Sequence, residues 1–151
     1  MADSDLIDLY SKRILAMASD IPLTGRLDAP MGTARVRAPL CGSVVTVDVD
    51  TADGRVTRFA QDVKACALGQ AAASVLGHNV VGRDRAEIAQ ARDALAAMLA
   101  SHGDSMPAPF GDLDVFRAAR GFANRHASIL LSLDATLAAI DAVGVQERAQ
   151  A

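Results

Sequence analysis

The stretch that decides the fold begins with Ser43-Val-Val-Thr-Val-Asp-Val-Asp50, continues through Thr51-Ala-Asp-Gly54 and returns in Arg55-Val-Thr-Arg-Phe-Ala-Gln-Asp-Val63. From Val45 onwards valine alternates with a polar residue, which is the period of a strand with one buried face. Gly54 can adopt the positive φ that a tight turn requires. The sequence therefore predicts an antiparallel hairpin at the centre of the chain.

A further strand is predicted immediately before this hairpin. Small or apolar residues alternate there with arginine: Ala34, Arg35, Val36, Arg37, Ala38 and Leu40. We expect the non-arginine positions to share a buried face and Pro39 to mark the end of the strand or an edge position. Three consecutive strands with short links form an antiparallel meander, and its buried face needs a cover of helices.

The segments on either side of the strands supply helices. Residues 4–19 carry apolar side chains at helical spacing, and Cys66–Leu76 is a run of small residues for which Gly77 is the predicted end. Asp84 and Glu87 have the spacing of a capping box. The apolar stripe of the helix that they open consists of Ile88, Leu95, Met98 and Leu99.

The last third of the chain is predicted as a loop followed by a long helix. Glycine and proline punctuate residues 102–112, a short turn covers Leu113–Ala119, and a final amphipathic helix begins at about Asn124. The expected fold class is α+β, with a three-stranded antiparallel meander covered by about four to five helices.

Composition favours one domain that spans residues 1–151, since a chain of 151 residues that is 51% hydrophobic can bury a single core. The net charge of −3 and the scattered basic residues argue against a nucleic-acid partner. Ala65–Gly82, the longest uncharged run, is too polar for a membrane span. Because the N-terminus is acidic where a signal peptide would be basic, we expect a cytoplasmic location and reduced cysteines.

The two cysteines both lie where strands end. Cys41 is in the link between the first two strands, where Gly42 allows a tight turn and should bare its amide beside the sulfur. Cys66 lies where the third strand ends and a helix begins. The helix dipole together with Lys64 should help this thiol to ionise. In a meander these two positions fall at the same end of the sheet, so we expect the thiols to be neighbours. Inert buried cysteine is the alternative.

Four motifs carry a family resemblance: Pro39-Leu-Cys-Gly42, the Asp53-Gly54 hairpin, Lys64-Ala-Cys-Ala-Leu-Gly-Gln-Ala-Ala-Ala-Ser74 and Asn124-Arg-His-Ala-Ser-Ile-Leu130. Over residues 6 to 142 the chain resembles the NifU N-terminal/IscU/SufU family of iron–sulfur cluster assembly scaffolds. The resemblance implies a SufE/NifU-like fold and a site that holds an Fe–S cluster, iron or zinc. It also implies a cysteine desulfurase and cluster-acceptor proteins as partners, and a scaffold rather than an enzyme.

The chain departs from the family pattern at two ligand positions. Cys41 and Cys66 match the first two family cysteines, but Ser43 stands where the family has an aspartate. In the third motif either Ala127 replaces the cysteine beside a matching His126, or His126 itself is the substitute ligand. The resemblance thus implies Cys41, Cys66 and His126 around a [2Fe–2S] cluster or Zn²⁺, with Asp62 as a remote fourth candidate.

Other interpretations of these residues remain open at this point. Ser43 can be a turn hydroxyl, and a histidine that opens a helix is often solvated or a cap. His78 and His102 are interpreted as surface residues. The whole chain can also be a degenerate scaffold, a metal-free binding module for a desulfurase or another assembly partner, and it can form a homo-oligomer. A thiol enzyme with Cys66 as nucleophile and His126 as base is a third hypothesis.

Overall fold

The computed structural model of the protein describes residues 9–100, 103 and 105–150, with the backbone alone at 147–150. The helices and strands follow in chain order: α1 Lys12–Ala18, β1 Gly32–Arg37, β2 Val44–Ala52, β3 Arg55–Lys64, α2 Ala67–Asn79, α3 Arg85–Leu99, 3-10 turns at Gly111–Ala119 and Ala123–Arg125, and α4 His126–Gln150. His102, which the sequence placed at the surface, lies outside the described residues.

The strands form one antiparallel sheet in the order β1-β2-β3. Asp53 and Gly54 connect β2 to β3 with φ values of 52° and 77°, so both central residues of the turn are left-handed as a tight hairpin demands. Helix α4 packs on β1 and β2, and α2 packs between α4 and α1. The predicted α+β meander under a layer of helices is therefore confirmed.

The core lies between the sheet and this helical layer. Val45, Val47 and Val49 of β2 are at most 1% exposed, which confirms the predicted buried face. The capping box is also confirmed, because the Asp84 carboxylate accepts from the Glu87 amide at 2.8 Å and Glu87 accepts from the Asp84 amide at 3.3 Å. The apolar stripe that follows the box is buried in α3 as expected.

Three local predictions are wrong. The first helix is not continuous over residues 4–19 within its described part, because Ser11 is extended and caps α1 through its hydroxyl. Leu40 is 79% exposed, since β1 ends at Arg37 and the chain turns away before it. Helix α2 runs through Gly77 to Asn79.

Gly77 has a packing role instead of ending the helix. A Cβ at this position would lie 2.7 Å from the ring of Pro22 and 2.8 Å from the side-chain nitrogen of Gln61. The glycine therefore allows α2 to approach both β3 and the segment after α1 more closely than any side chain would permit.

The polar face of β2 is covered as well, which the alternation of valine with polar residues did not predict. Asp48 has no exposed surface, and its two oxygens accept from Arg26 at 2.7 and 3.1 Å, from the Leu27 amide at 3.0 Å and from the Thr33 hydroxyl at 2.8 Å. Burial raises the pKa of the Asp48 carboxyl, but the hydrogen bonds from Arg26, Thr33 and Leu27 lower it by more, so that this pKa lies below the usual 3.8.

The outer edge of β3 is paired at two places. The Gln61 amide donates to the Leu23 carbonyl and the Gln61 carbonyl accepts from Gly25, both at 2.9 Å. Further along, the Val56 amide donates to Arg83 at 3.0 Å and its carbonyl accepts from Gly82 at 2.8 Å. Two loops thus take up backbone groups that an edge strand would otherwise expose.

Helix α4 is long and apolar. By length and composition alone the stretch Ala123–Gln146 could cross a membrane, and half of its apolar window is buried inside the fold. The core helix of a water-soluble fold has the same properties, so this helix gives no argument for a membrane partner.

Candidate thiol site at the end of the sheet

The strand register brings the two cysteine segments to one end of the sheet. Arg37 of β1 pairs with Val44 of β2, and Val44 pairs with Lys64 of β3. Cys41 lies in the link just before Val44, and Cys66 is the N-cap of α2 just after Lys64. The thiol segments therefore meet where the meander predicted, one on a tight loop and the other at the start of a helix.

Gly42 shapes the Cys41 loop, but not by the predicted means. Its φ of 72° allows the tight turn. Its amide donates to the Ala38 carbonyl at 3.0 Å, and the Ala38 amide donates to the Ser43 carbonyl at 2.8 Å. The expectation of a bare Gly42 amide beside the sulfur is therefore wrong, because this amide donates a hydrogen bond within the loop.

Two serine hydroxyls connect the two thiols. The Cys41 thiol donates to the Ser43 hydroxyl at 3.1 Å, and Ser43 Oγ lies 3.2 Å from Ser128 Oγ in the first turn of α4. Ser128 Oγ lies 3.4 Å from Cys66 Sγ. Three consecutive contacts thus link Cys41 to Cys66, and we call this group of four side chains the thiol pocket.

The two cysteines are more exposed than the two serines. Cys41 is exposed and Cys66 is half-buried, whereas Ser43 and Ser128 are only 5% and 1% exposed. Ser43 is therefore part of the site as well as of the turn. Cys41 is therefore the more accessible of the two thiol residues.

The pocket favours the thiolate at Cys41. Partial burial raises the pKa of this thiol, but hydrogen bonds that the thiolate form accepts from the Ser43 hydroxyl, the Ser43 backbone and the Ser128 hydroxyl lower it by more. The pKa of Cys41 therefore lies below its usual value of 9.0. A thiolate is the form that binds metals and accepts sulfur.

Ser128 is the site residue that the sequence did not single out. It reaches the pocket because α4 and α2 approach closely at Gly69, where a Cβ would lie 2.7 Å from the Ser128 hydroxyl. The available signal was indirect: a serine follows His126 and Ala127 in the third motif, and a glycine lies three residues after Cys66. Only the packing of the two helices relates these positions.

His126 and Ala127 open α4 beside the pocket but do not contact the thiols through hydrogen bonds in the described structure. The His126 Nε2 atom lies 2.8 Å from the Ala119 carbonyl, and Ala127 is exposed. The thiol of Cys66 contacts Ser128 and not the imidazole. Across residues 9–100, 103 and 105–146, no group of three or more His, Cys, Asp or Glu side chains is spaced to hold a metal ion.

The remaining charged candidates lie away from the thiols or in solvent. Asp62 is exposed and, since the neighbouring Gln61 reaches the helical layer at Ala73, its side chain lies on the opposite face of the sheet near Arg26. The hypothesis that it is a fourth ligand is not supported. Lys64 is exposed, and His78 is half-exposed with Nε2 3.5 Å from Asp20.

The fold matches solved structures over nearly its whole length. The crystal structure of a nitrogen-fixing NifU-like protein (N-terminal) from Brucella abortus is 42% identical, with a TM-score of 0.90 over 94% of this chain and 99% of that chain.

Two further structures show the same fold at lower identity. One is a proposed iron–sulfur cluster assembly scaffold protein for the SUF system from Fervidobacterium islandicum AW-1, with 16% identity and a TM-score of 0.79 over 89% of this chain and 98% of that chain. The other is a hypothetical protein with 19% identity and the same TM-score and coverage. No protein-family model and no curated protein matches the sequence.

Proposed function

The chain belongs to the NifU/IscU/SufU-like family of iron–sulfur cluster assembly scaffolds, and from that premise we propose that Cys41 and Cys66 hold an iron–sulfur cluster, iron or zinc as cargo for cluster biogenesis. One observation carries the proposal: thiols from two distant segments share an open pocket through the hydroxyls of Ser43 and Ser128. Thiolates are the ligands that iron–sulfur clusters and structural zinc share.

His126 is the proposed third ligand. Its Nε2 atom faces the Ala119 carbonyl, so Nδ1 is the ring nitrogen left to bind a metal unless the ring turns. Imidazole binds zinc and replaces thiolate on iron in some clusters. A fourth ligand would come from solution or from a partner protein.

The low negative charge of the proposed ligands suits a site that binds its cargo only temporarily. Relative to the family pattern, Ser43 removes a carboxylate, and Ala127 or His126 removes a thiolate. Fewer anionic ligands bind iron less tightly, and an open pocket permits ligand exchange. The chain should therefore release its cargo more readily than a site with three thiolates and a carboxylate.

The proposed partners are a cysteine desulfurase, which would supply sulfur, and cluster-acceptor proteins. A partner that delivers or receives sulfur at Cys41 would also meet Leu40, which is 79% exposed and directly precedes the exposed cysteine.

Anaerobic reconstitution tests the proposal. The purified chain is incubated with ferrous iron, sulfide and dithiothreitol, and visible absorption and bound iron and sulfide are measured after desalting. We expect the parent to acquire sulfur-to-iron charge-transfer bands, and Cys41→Ala and Cys66→Ala to lose most of them. His78→Ala is the matched control for His126→Ala, since His78 pairs with Asp20 away from the pocket.

Equal iron content in the parent and in both cysteine variants would refute the thiol pair as the cargo site. If His126→Ala acquired as much iron as the parent, His126 would not be a ligand, and the thiol pair alone would remain as the proposed site.

A metal-free binding module is the second candidate function. It is favoured by the finding that the described residues hold no three-ligand group of His, Cys, Asp and Glu. A chain that captures a purified cysteine desulfurase with equal affinity before and after metal chelation, and that acquires no iron or zinc, would establish this role instead.

A further inference from the structure

We infer that Ser128 is a positioning residue of the thiol site: its hydroxyl orients the Cys66 thiol and, through Ser43, the Cys41 thiol toward a common bound metal. The inference rests on the proposed function, because it concerns how the same two thiols are held for that cargo. Neither serine is among the ligands that the family resemblance implied.

The contacts of Ser128 converge from both sides of the pocket. Its Oγ atom lies 3.4 Å from Cys66 Sγ and 3.2 Å from Ser43 Oγ, which in turn accepts from Cys41 at 3.1 Å. Ser128 is 1% exposed, so water does not compete for these contacts. The hydroxyl therefore fixes the relative placement of two sulfurs that come from different parts of the chain.

The position of Ser128 is built into the helix packing. A Cβ on Gly69 would lie 2.7 Å from the Ser128 hydroxyl and 2.8 Å from the Ala65 side chain. Any residue larger than glycine would have to displace one of them. The close approach of α2 and α4 at this glycine thus places the Ser128 hydroxyl beside the Cys66 thiol at the N-cap of α2.

The hydrogens of the two serines match the needs of a metal-bound thiol pair. When both thiols have given up their protons, the Ser43 hydroxyl can turn to donate to the Cys41 thiolate and the Ser128 hydroxyl to the Cys66 thiolate. The two hydroxyl oxygens then no longer share a hydrogen bond, and each thiolate accepts one hydrogen bond from a serine. Such outer-sphere donors fix ligand orientation and withdraw charge from sulfur.

Cobalt binding by matched serine variants tests the inference. Ser132 is the control, because it is buried one turn further along α4 and its hydroxyl has no hydrogen-bond partner in the described structure. Titration with Co²⁺ alone should show a dissociation constant raised about 10- to 100-fold in Ser128→Ala and unchanged in Ser132→Ala. The sulfur-to-cobalt charge-transfer band of Ser128→Ala should also move to lower energy, since the thiolate loses its donor.

A second measurement uses the metal-free protein and so does not depend on cargo binding. The NMR signal of the Cys66 Cβ atom should shift in Ser128→Ala and in Gly69→Ala, which displaces the hydroxyl, and should stay in place in Ser132→Ala. Thermal unfolding of each variant establishes that it is folded.

The results separate this inference from the proposed function. A parent that binds no cobalt would refute the metal site, and the Cys66 signal would still decide the role of Ser128. A Ser128→Ala variant with a parent-like charge-transfer band and a parent-like Cys66 signal would overturn the inference, even if its affinity for cobalt fell, because the serine would then act on stability alone.

Discussion

The Asp48 cluster lies on strand β2 and the thiol pocket lies next to the start of that strand, and the two polar sites differ in how completely they are filled by partners from the chain itself. Asp48 is wholly buried, and each of its oxygens accepts two hydrogen bonds from the surrounding chain. Cys41 is exposed and Cys66 is half-buried, and the hydrogen-bond partners of these two thiols are serine hydroxyls. The first site is complete within the chain and stabilises the fold, whereas the second is the proposed binding site for a metal cargo from outside the chain.

The largest loss of unfolding free energy is expected when the Asp48 cluster loses its charge. Asp48→Asn removes the charge that Arg26 faces and should lower the free energy of unfolding by about 2–3 kcal/mol, since hydrogen bonds to a buried charge are lost. Arg26 is 56% exposed and can be hydrated, which keeps the loss below that of a fully buried pair. Urea unfolding measures the change, and a loss under 0.5 kcal/mol would show that the cluster contributes little.

Acid should produce part of the same loss in the parent. Because the folded-state pKa of Asp48 lies below its ordinary value of 3.8, its carboxylate stabilises the fold above that value. The contribution is lost as the pH falls from about 3.8 through the lower folded-state pKa. Unfolding free energies measured from pH 6 downwards should therefore decline more steeply in the parent than in Asp48→Asn, and equal slopes would contradict this assignment.

In the open site, removal of a thiol should affect binding far more than folding. Cys66→Ala is expected to weaken cobalt or zinc binding by at least about 100-fold, the upper end of what the loss of an outer-sphere partner costs, because a thiolate ligand itself is lost. The unfolding free energy should change by less than about 1 kcal/mol, since the half-buried side chain is small. A variant that loses stability but binds metal as the parent does would reverse the contrast between the two sites.

A third thiol added to the thiol pocket should make the pocket bind metal more tightly and so increase the difference between the two sites. Ala127 is exposed in the first turn of α4, next to Ser128, so a cysteine there can be accommodated without repacking. Ala127→Cys should bind zinc about tenfold more tightly than the parent, because it supplies a third thiolate. Ala127→Ser is the matched control of similar size, and an equal gain in that variant would exclude a thiolate effect.

The smallest effect is expected at an ion pair that resembles Asp48–Arg26 in geometry but not in burial. Arg85 meets Asp141 at 2.7 and 3.1 Å, and the two side chains are 50% and 56% exposed. Asp141→Asn should therefore cost less than about 1 kcal/mol in the same urea experiment. A cost equal to that of Asp48→Asn would mean that burial does not set the difference.

The sequence predicted the parts of the fold that depend on local patterns. Valine alternation located β2, Asp53-Gly54 located the hairpin, and Asp84 with Glu87 located the start of α3, because each signal is read within one element. The two cysteines could likewise be placed at one end of the sheet from strand order alone.

Features set by contacts between distant segments were not predictable in this way. Gly77 has the local appearance of a helix end, but its role is to admit Pro22 and Gln61. Ser128 is an ordinary helix residue by pattern and enters the site only because Gly69 lets α2 approach α4. Asp48 resembled a solvated strand residue until the segment that carries Arg26 folded over it.

The loops that pair with β3 also affect how copies of this protein behave toward one another. A bare outer strand is a template on which a second chain can add its own strand, and such growth leads to aggregation. Here Leu23 with Gly25 and Gly82 with Arg83 occupy that template at two places, and Arg35 and Arg37 place charges on the opposite outer strand. The edges of the sheet are therefore protected against such strand addition, while Cys41 at the end of the sheet stays exposed.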